Sequence, residues 1–114
     1  EVTNAWISSG ESAKEWIQMV FDQPQILERI GLFWVSYDQI DTPVSWRMEY
    51  LKAGNWYPFE KYITDVYGVS KDRYNTIHPS AKLSCEGLRI NIDAQEGKSV
   101  GLFDIELNIV DEIN

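Results

Sequence analysis

A lone cysteine, Cys85, leaves nothing for an internal disulfide to join, and it reads as a small buried hydrophobe. One histidine, His78, cannot supply a zinc set with that single thiol, and with no serine or cysteine motif beside it there is no catalytic triad. Basic residues are scarce: 10 Lys and Arg stand against 18 Asp and Glu, a formal charge of −8 with a pI near 4.5. Nucleic acid and anionic membrane surfaces both demand a cationic footprint, so neither is an expected partner. No apolar run approaches a bilayer span, which excludes membrane insertion by a helix, and no basic-then-apolar leader is present. The chain starts at Glu1-Val2-Thr3 without an initiator methionine, and the expectation is a module excised from a larger protein. Repeats, low-complexity tracts and helical periods longer than about three turns are absent too.

What is abundant is alternation. Residues 43–50, PVSWRMEY, place Val44, Trp46, Met48 and Tyr50 against Ser45, Arg47 and Glu49, the two-residue period of a strand with one buried face. Ala53-Gly54-Asn55 supplies a tight turn, and residues 56–59 restart as a paired strand, giving a hairpin with tryptophan on both arms. Residues 8–15 read as a loop. Residues 15–21 form a strand with Ile17, Met19 and Phe21 on one face and Trp16, Gln18 and Val20 on the other, ended by Asp22-Gln23-Pro24. Residues 25–37 resume as a longer central strand that buries Ile30, Leu32 and Trp34.

Residues 60–72 have no clean period and are expected to be a long ordered loop; 73–78 form a short strand ended by Pro79. Residues 85–92 are a strand with Leu88, Ile90 and Ile92 on one side. After a polar turn at 93–99, residues 101–110 alternate, with Leu102, Asp104, Glu106 and Asn108 on one face and Phe103, Ile105, Leu107 and Ile109 on the other. About seven strands and short turns in 114 residues predict a single all-β domain over 1–114, a β-sandwich with one core. Trp16, Trp34, Trp46 and Trp56, all within strands, are expected in that core.

Chemistry-bearing residues are few. Sugar recognition needs a flat ring against the apolar face of a pyranose and polar groups for its hydroxyls. Tyr37, at a strand end with Asp38 and Asp41, is the candidate. The nearest acid pairs, Asp38 with Asp41 and Asp104 with Glu106, have no cleft in the sequence to face across, so glycoside hydrolysis has no support. The domain is not expected to be an enzyme.

In order, Trp6-Ile7-Ser8, the run Trp16 to Phe21, Trp34, then Pro43 to Tyr50 with Gly54-Asn55-Trp56, followed by Tyr74 to Ile77, Leu88-Arg89-Ile90 and Gly101 to Glu106, resemble the discoidin or coagulation factor 5/8 type C family. The nearest likeness is to accessory modules of bacterial glycoside hydrolases, and it spans nearly the whole chain. It implies a jelly-roll β-sandwich, galactose-binding-domain-like, that is non-catalytic and binds glycan at the loops of one end. Those loops place Tyr37, Asp38, Asp41 and Lys98 as ligand-binding candidates. The family's opening strand and its Asp-Gly loop have no counterpart before Trp6. Of the calcium site that uses them, only Asn4 and Glu106 remain as candidate ligands, too few oxygens for a hard cation, so no cofactor is required. The resemblance also gives Arg89 a carboxylate partner, expected to be Glu106 or Asp104. The expected role is an accessory carbohydrate-binding module of a secreted, periplasmic or cell-surface glycoside hydrolase. The alternative is a structural β-sandwich that packs on a neighbouring catalytic domain and binds no glycan.

Overall fold

A computed structural model describes residues 6–7 and 13–110. In chain order the strands are β1 (Trp6–Ile7), β2 (Lys14–Val35), β3 (Ile40–Asp41), β4 (Ser45–Lys52), β5 (Asn55–Pro58), β6 (Tyr74–Ile77), β7 (Leu83–Asp93) and β8 (Ser99–Val110). They build the expected all-β jelly-roll sandwich. One layer runs β2–β7–β4–β5; the other runs β6–β2–β8–β1, with β3 added parallel to β8.

β2 belongs to both layers, and this corrects the expectation that Asp22-Gln23-Pro24 ends a strand. The chain stays extended there, but its pairing register with β7 shifts between Val20 and Gln25. Asp22 and Pro24 face solvent at this irregularity, where the missing proline N–H costs no ladder bond. β2 pairs with β7 on both sides of the shift, from Lys14 to Leu27; from Ile26 onward it pairs with β8, and Ile30 to Phe33 lie between β6 and β8. Lys14 opposes Asp93 and Val35 opposes Gly101, and residues 94–98 join those partners. Both ends of β2 therefore meet at one end of the sandwich.

The core fills the gap between layers. Ile30, Leu32 and Trp34 from β2 meet Trp46 and Met48 from β4 and Leu88, Ile90 and Ile92 from β7, all buried. The Trp34 and Trp46 rings touch edge to face across the layers at 5.9 Å between centroids, and Tyr67 meets Trp46 edge to face at 4.7 Å. Burial pushes the Tyr67 phenol above its ordinary value. Cys85 is buried as expected.

The hairpin of β4 and β5 closes where the sequence placed it. Leu51 opposes Trp56 and Lys52 opposes Asn55, leaving Ala53 (φ 51°) and Gly54 (φ 81°) as a two-residue turn in the left-handed region that matches strand twist.

Several face assignments change. Val44 precedes β4 and is exposed, its amide donating to Asp93 O at 2.8 Å. Trp16 is 61% exposed and Trp56 half-buried, so neither belongs to the core with Trp34 and Trp46. Strict alternation in β8 fails at Phe103. Phe33 opposes Asp104 while Trp34 opposes Leu102, so Phe103 is an extra residue and the side-chain order inverts there. Leu102 is buried, and Phe103 turns outward at 45% exposure against Phe33. Arg89 reaches neither Glu106 nor Asp104. They belong to the opposite layer, and Arg89 lies on the outer face of β7 against Glu49 and Gln18.

The loop 60–72 is ordered by long-range bonds, as an aperiodic segment must be. The Nε1 groups of Trp46 and Trp34 both donate to Gly68 O, at 2.6 and 3.2 Å. The buried Asn75 side chain donates to Ser70 O at 2.8 Å and Leu32 O at 3.2 Å and accepts from Ser70 N at 3.0 Å. A Cβ on Gly68 would come within 2.5 Å of Asn75 Oδ1, so the close approach requires glycine.

Candidate functional site

The end of the sandwich where both termini of β2 meet gathers three connections: the 36–44 loop, the 94–98 turn and the bend at 70–73. Asp72 N donates to Trp34 O at 2.9 Å, which ties that bend to the last residues of β2.

Tyr37 and Ile40 exchange two backbone bonds of 2.9 Å around Asp38 and Gln39. Asp38 takes φ 56°, a left-handed conformation that a short polar side chain tolerates. This brace holds the Tyr37 ring 56% exposed with the Asp38 carboxylate beside it in sequence, also exposed. Asp41 is more committed. Its Oδ1 accepts from Thr42 N at 2.7 Å and from Ser36 Oγ at 3.2 Å, so this carboxylate shapes the loop. Gln39 O accepts from Ser99 N at 2.9 Å, and Gln95 Nε2 donates to Thr42 O at 3.0 Å. These bonds bring the turn that carries Lys98 against the tyrosine loop. Lys98 is half-buried, with its amide bonded to Gln95 O at 3.0 Å. The structure thus brings Tyr37, Asp38, Asp41 and Lys98 to one end on two connected turns.

Of the two metal candidates only Glu106 is described. Asn4 lies outside the described residues. Glu106 is exposed on the outer face of β8, 3.8 Å from Arg29 Nη2. Among the described residues no group of three or more His, Cys, Asp or Glu could hold a metal ion. Asp104, the other member of that pair, accepts from the Tyr74 hydroxyl.

A concavity away from these turns went unread in the sequence. An open cleft of about 410 Å³ lies along β6, walled by Thr64, Asp65, Ser70, Arg73 and Tyr74 among others. His78 holds its rim: His78 N and Nδ1 meet Asp65 Oδ2 at 2.7 and 3.0 Å. No periodic pattern announces such a wall, because loop residues and strand ends form it.

No family model matches the chain, and no curated protein does. Solved structures do. A family 32 carbohydrate-binding module from Streptococcus pneumoniae EndoD superposes with a TM-score of 0.70 at 12% identity, covering 95% of this chain and 79% of that one. A chain from the Streptococcus pneumoniae β-galactosidase BgaA gives 0.75 at 9% identity, covering 95% and 80%. A Ruminococcus gnavus GH29 fucosidase bound to fucose matches over 95% of this chain but only 20% of its own, at 10% identity and a TM-score of 0.63. The fold is that of galactose-binding-like carbohydrate-binding modules.

Proposed function

We propose that the chain is a non-catalytic accessory module of a secreted glycoside hydrolase, and that it holds glycan at the loop end carrying Tyr37, Asp38, Asp41 and Lys98. The observation that carries this reading is the Tyr37 ring, held exposed on a braced two-residue turn with polar side chains around it. An exposed ring stacks on the apolar face of a pyranose, and the neighbouring carboxylate and ammonium bind its hydroxyls. The fold shared with carbohydrate-binding modules supports the same role, as does its occurrence within a fucosidase chain.

The acids of the two candidate pairs favour binding over hydrolysis. Asp41 braces its own loop, Asp104 bonds Tyr74, and Glu106 faces Arg29, so neither pair stands free across a cleft as general acid and base require. Binding by one such module is weak, and attachment to an enzyme that also grips the polymer raises the effective affinity.

Titration calorimetry of the chain with galactose, N-acetylgalactosamine, fucose and their short oligosaccharides tests the site. Binding that falls at least roughly tenfold in Tyr37→Ala, with the melting temperature unchanged, is the expected result. Equal binding by wild type and variant would remove Tyr37 from the site. Turnover of an aryl glycoside by the isolated chain would overturn the non-catalytic reading.

A further inference from the structure

The outer face of the β2–β7–β4–β5 layer is built unlike the rest of the surface. Gln18, Arg89, Glu49 and Pro58 form one row across its four strands, and the flanking rows hold Trp16 with Asn91 and Arg47, and Val20 with Gly87, Leu51 and Trp56. Side chains in such rows are cross-strand neighbours on one face. The Arg89 guanidinium lies 4.1 Å from the Trp56 ring centroid and 5.7 Å from that of Trp16. Both indoles are therefore fixed by one cation.

Arg89 is held in turn. Its Nε and Nη2 donate to Gln18 Oε1 at 3.1 and 3.0 Å, and its Nη1 lies 3.5 Å from Glu49 Oε1. That same carboxylate oxygen accepts from Asn91 Nδ2 at 3.0 Å. The result is a braced surface on which two indoles flank a network of guanidinium, amide and carboxylate groups. Trp16, at 61% exposure, projects from it.

We infer that this face is a second glycan surface, which takes an extended, uncharged polysaccharide chain laid flat across the sheet. The inference rests on the reading of the chain as a glycan-binding module, but it uses none of the Tyr37 loop. Charge selects the occupant. Arg89 is matched by Glu49, and Lys14 by Asp93 at 2.9 Å, which leaves Arg47, opposite Asn91, as a single further cation in these rows. A polyanion finds no unmatched cluster of cations here and meets a molecule of net charge −8. A docked protein domain is favoured by a contiguous apolar patch. On this face Gln18, Arg89 and Asn91 separate Trp16 from the row of Val20, Leu51 and Trp56, an alternation of polar and apolar rows that suits a ligand with hydroxyls at its edges and C–H groups on its flat sides.

Native gel electrophoresis through soluble galactan, xyloglucan, glucomannan and polygalacturonate tests this with wild type, Trp16→Ala, Trp16→Phe and Tyr37→Ala. The expected result is retardation of wild type by at least one neutral polymer, with affinity reduced roughly tenfold or more in Trp16→Ala. Trp16→Phe should restore most of it, and calorimetric binding of short sugars should be unchanged in both Trp16 variants. An exposed side chain is replaced, so the variants should melt with wild type. Equal retardation of wild type and Trp16→Ala in every gel, or none in any, overturns the proposal, and stronger retardation by polygalacturonate overturns the choice of an uncharged chain. The two readings fail separately. Short-sugar binding that depends on Tyr37 with no Trp16-dependent retardation keeps the loop site and removes the face; the converse keeps the face and removes the loop site.

Discussion

Replacing Trp34 and Trp46 by phenylalanine, singly and together, asks what one carbonyl is worth. Gly68 O accepts from both indoles, at 3.2 and 2.6 Å, and those bonds fasten the 60–72 loop over the core. Each single change removes one donor, worth about 1 kcal/mol, and leaves the carbonyl with a partner. The smaller ring also leaves a gap in a packed core, costing about 1 kcal/mol more. Edge-to-face contact survives, because phenylalanine still presents a ring. The double change strips the carbonyl of both donors and adds the penalty for a bare, partly buried acceptor, about 1–2 kcal/mol beyond the sum of the singles. Urea unfolding followed by far-ultraviolet circular dichroism measures each arm without relying on the altered fluorophores. Additivity within about 0.5 kcal/mol would falsify the shared-acceptor account. Hydrogen exchange gives an independent reading: the amides of residues 60–72 should lose protection in the double variant before those of β7.

Gly87→Ala should destabilise by about 1–3 kcal/mol, because the added Cβ would come 2.6 Å from Met19 O and push β2 from β7; thermal melting measures it. Lys14 and Ser45 bond the Asp93 carboxylate and hold its pKa below the ordinary aspartate value. A lowered folded-state pKa contributes stability above the unfolded pKa of about 3.9 and loses it as pH falls through the folded one. Lys14→Met should therefore raise the Asp93 pKa in a carbon-detected titration and reduce the stability lost in acid. Burial pushes the Cys85 thiol up and seals it, so labelling by a disulfide reagent should track global unfolding in urea. Labelling at the native-state rate of an exposed thiol would contradict its position.

Alternation carried the strand assignments because sheet geometry writes period two wherever one face is buried, as Trp46 and Met48 against Arg47 show. It failed at two local events that leave no periodic trace. Phe103 is an extra residue in β8, and its insertion swaps the faces of everything before it relative to Ile105. At Asp22-Gln23-Pro24 the turn-forming composition was read as a strand end, whereas it marks a shift of register against β7 within one extended segment that changes layer only after Leu27. Trp16 was misplaced by its size. Its parity with Gln18 put it on the polar face, and that parity was the better guide. The loop site was legible only as residue types on turns. Its closeness to Lys98 depends on Gln39 and Ser99, whose pairing joins chain segments 60 residues apart. Arg89 with its two indoles was invisible for the same reason, since four strands, β2, β7, β4 and β5, must align before one cation can touch both rings.

The shared strand β2 has a mechanical consequence. A sandwich whose layers are separate sheets can peel one from the other, but here each layer loses a member if β2 leaves, so local opening should merge with global unfolding. A protease that nicked the chain at Gln23 would divide β2 between its β7-paired first half and the segment held by β6 and β8, and both layers would loosen at once.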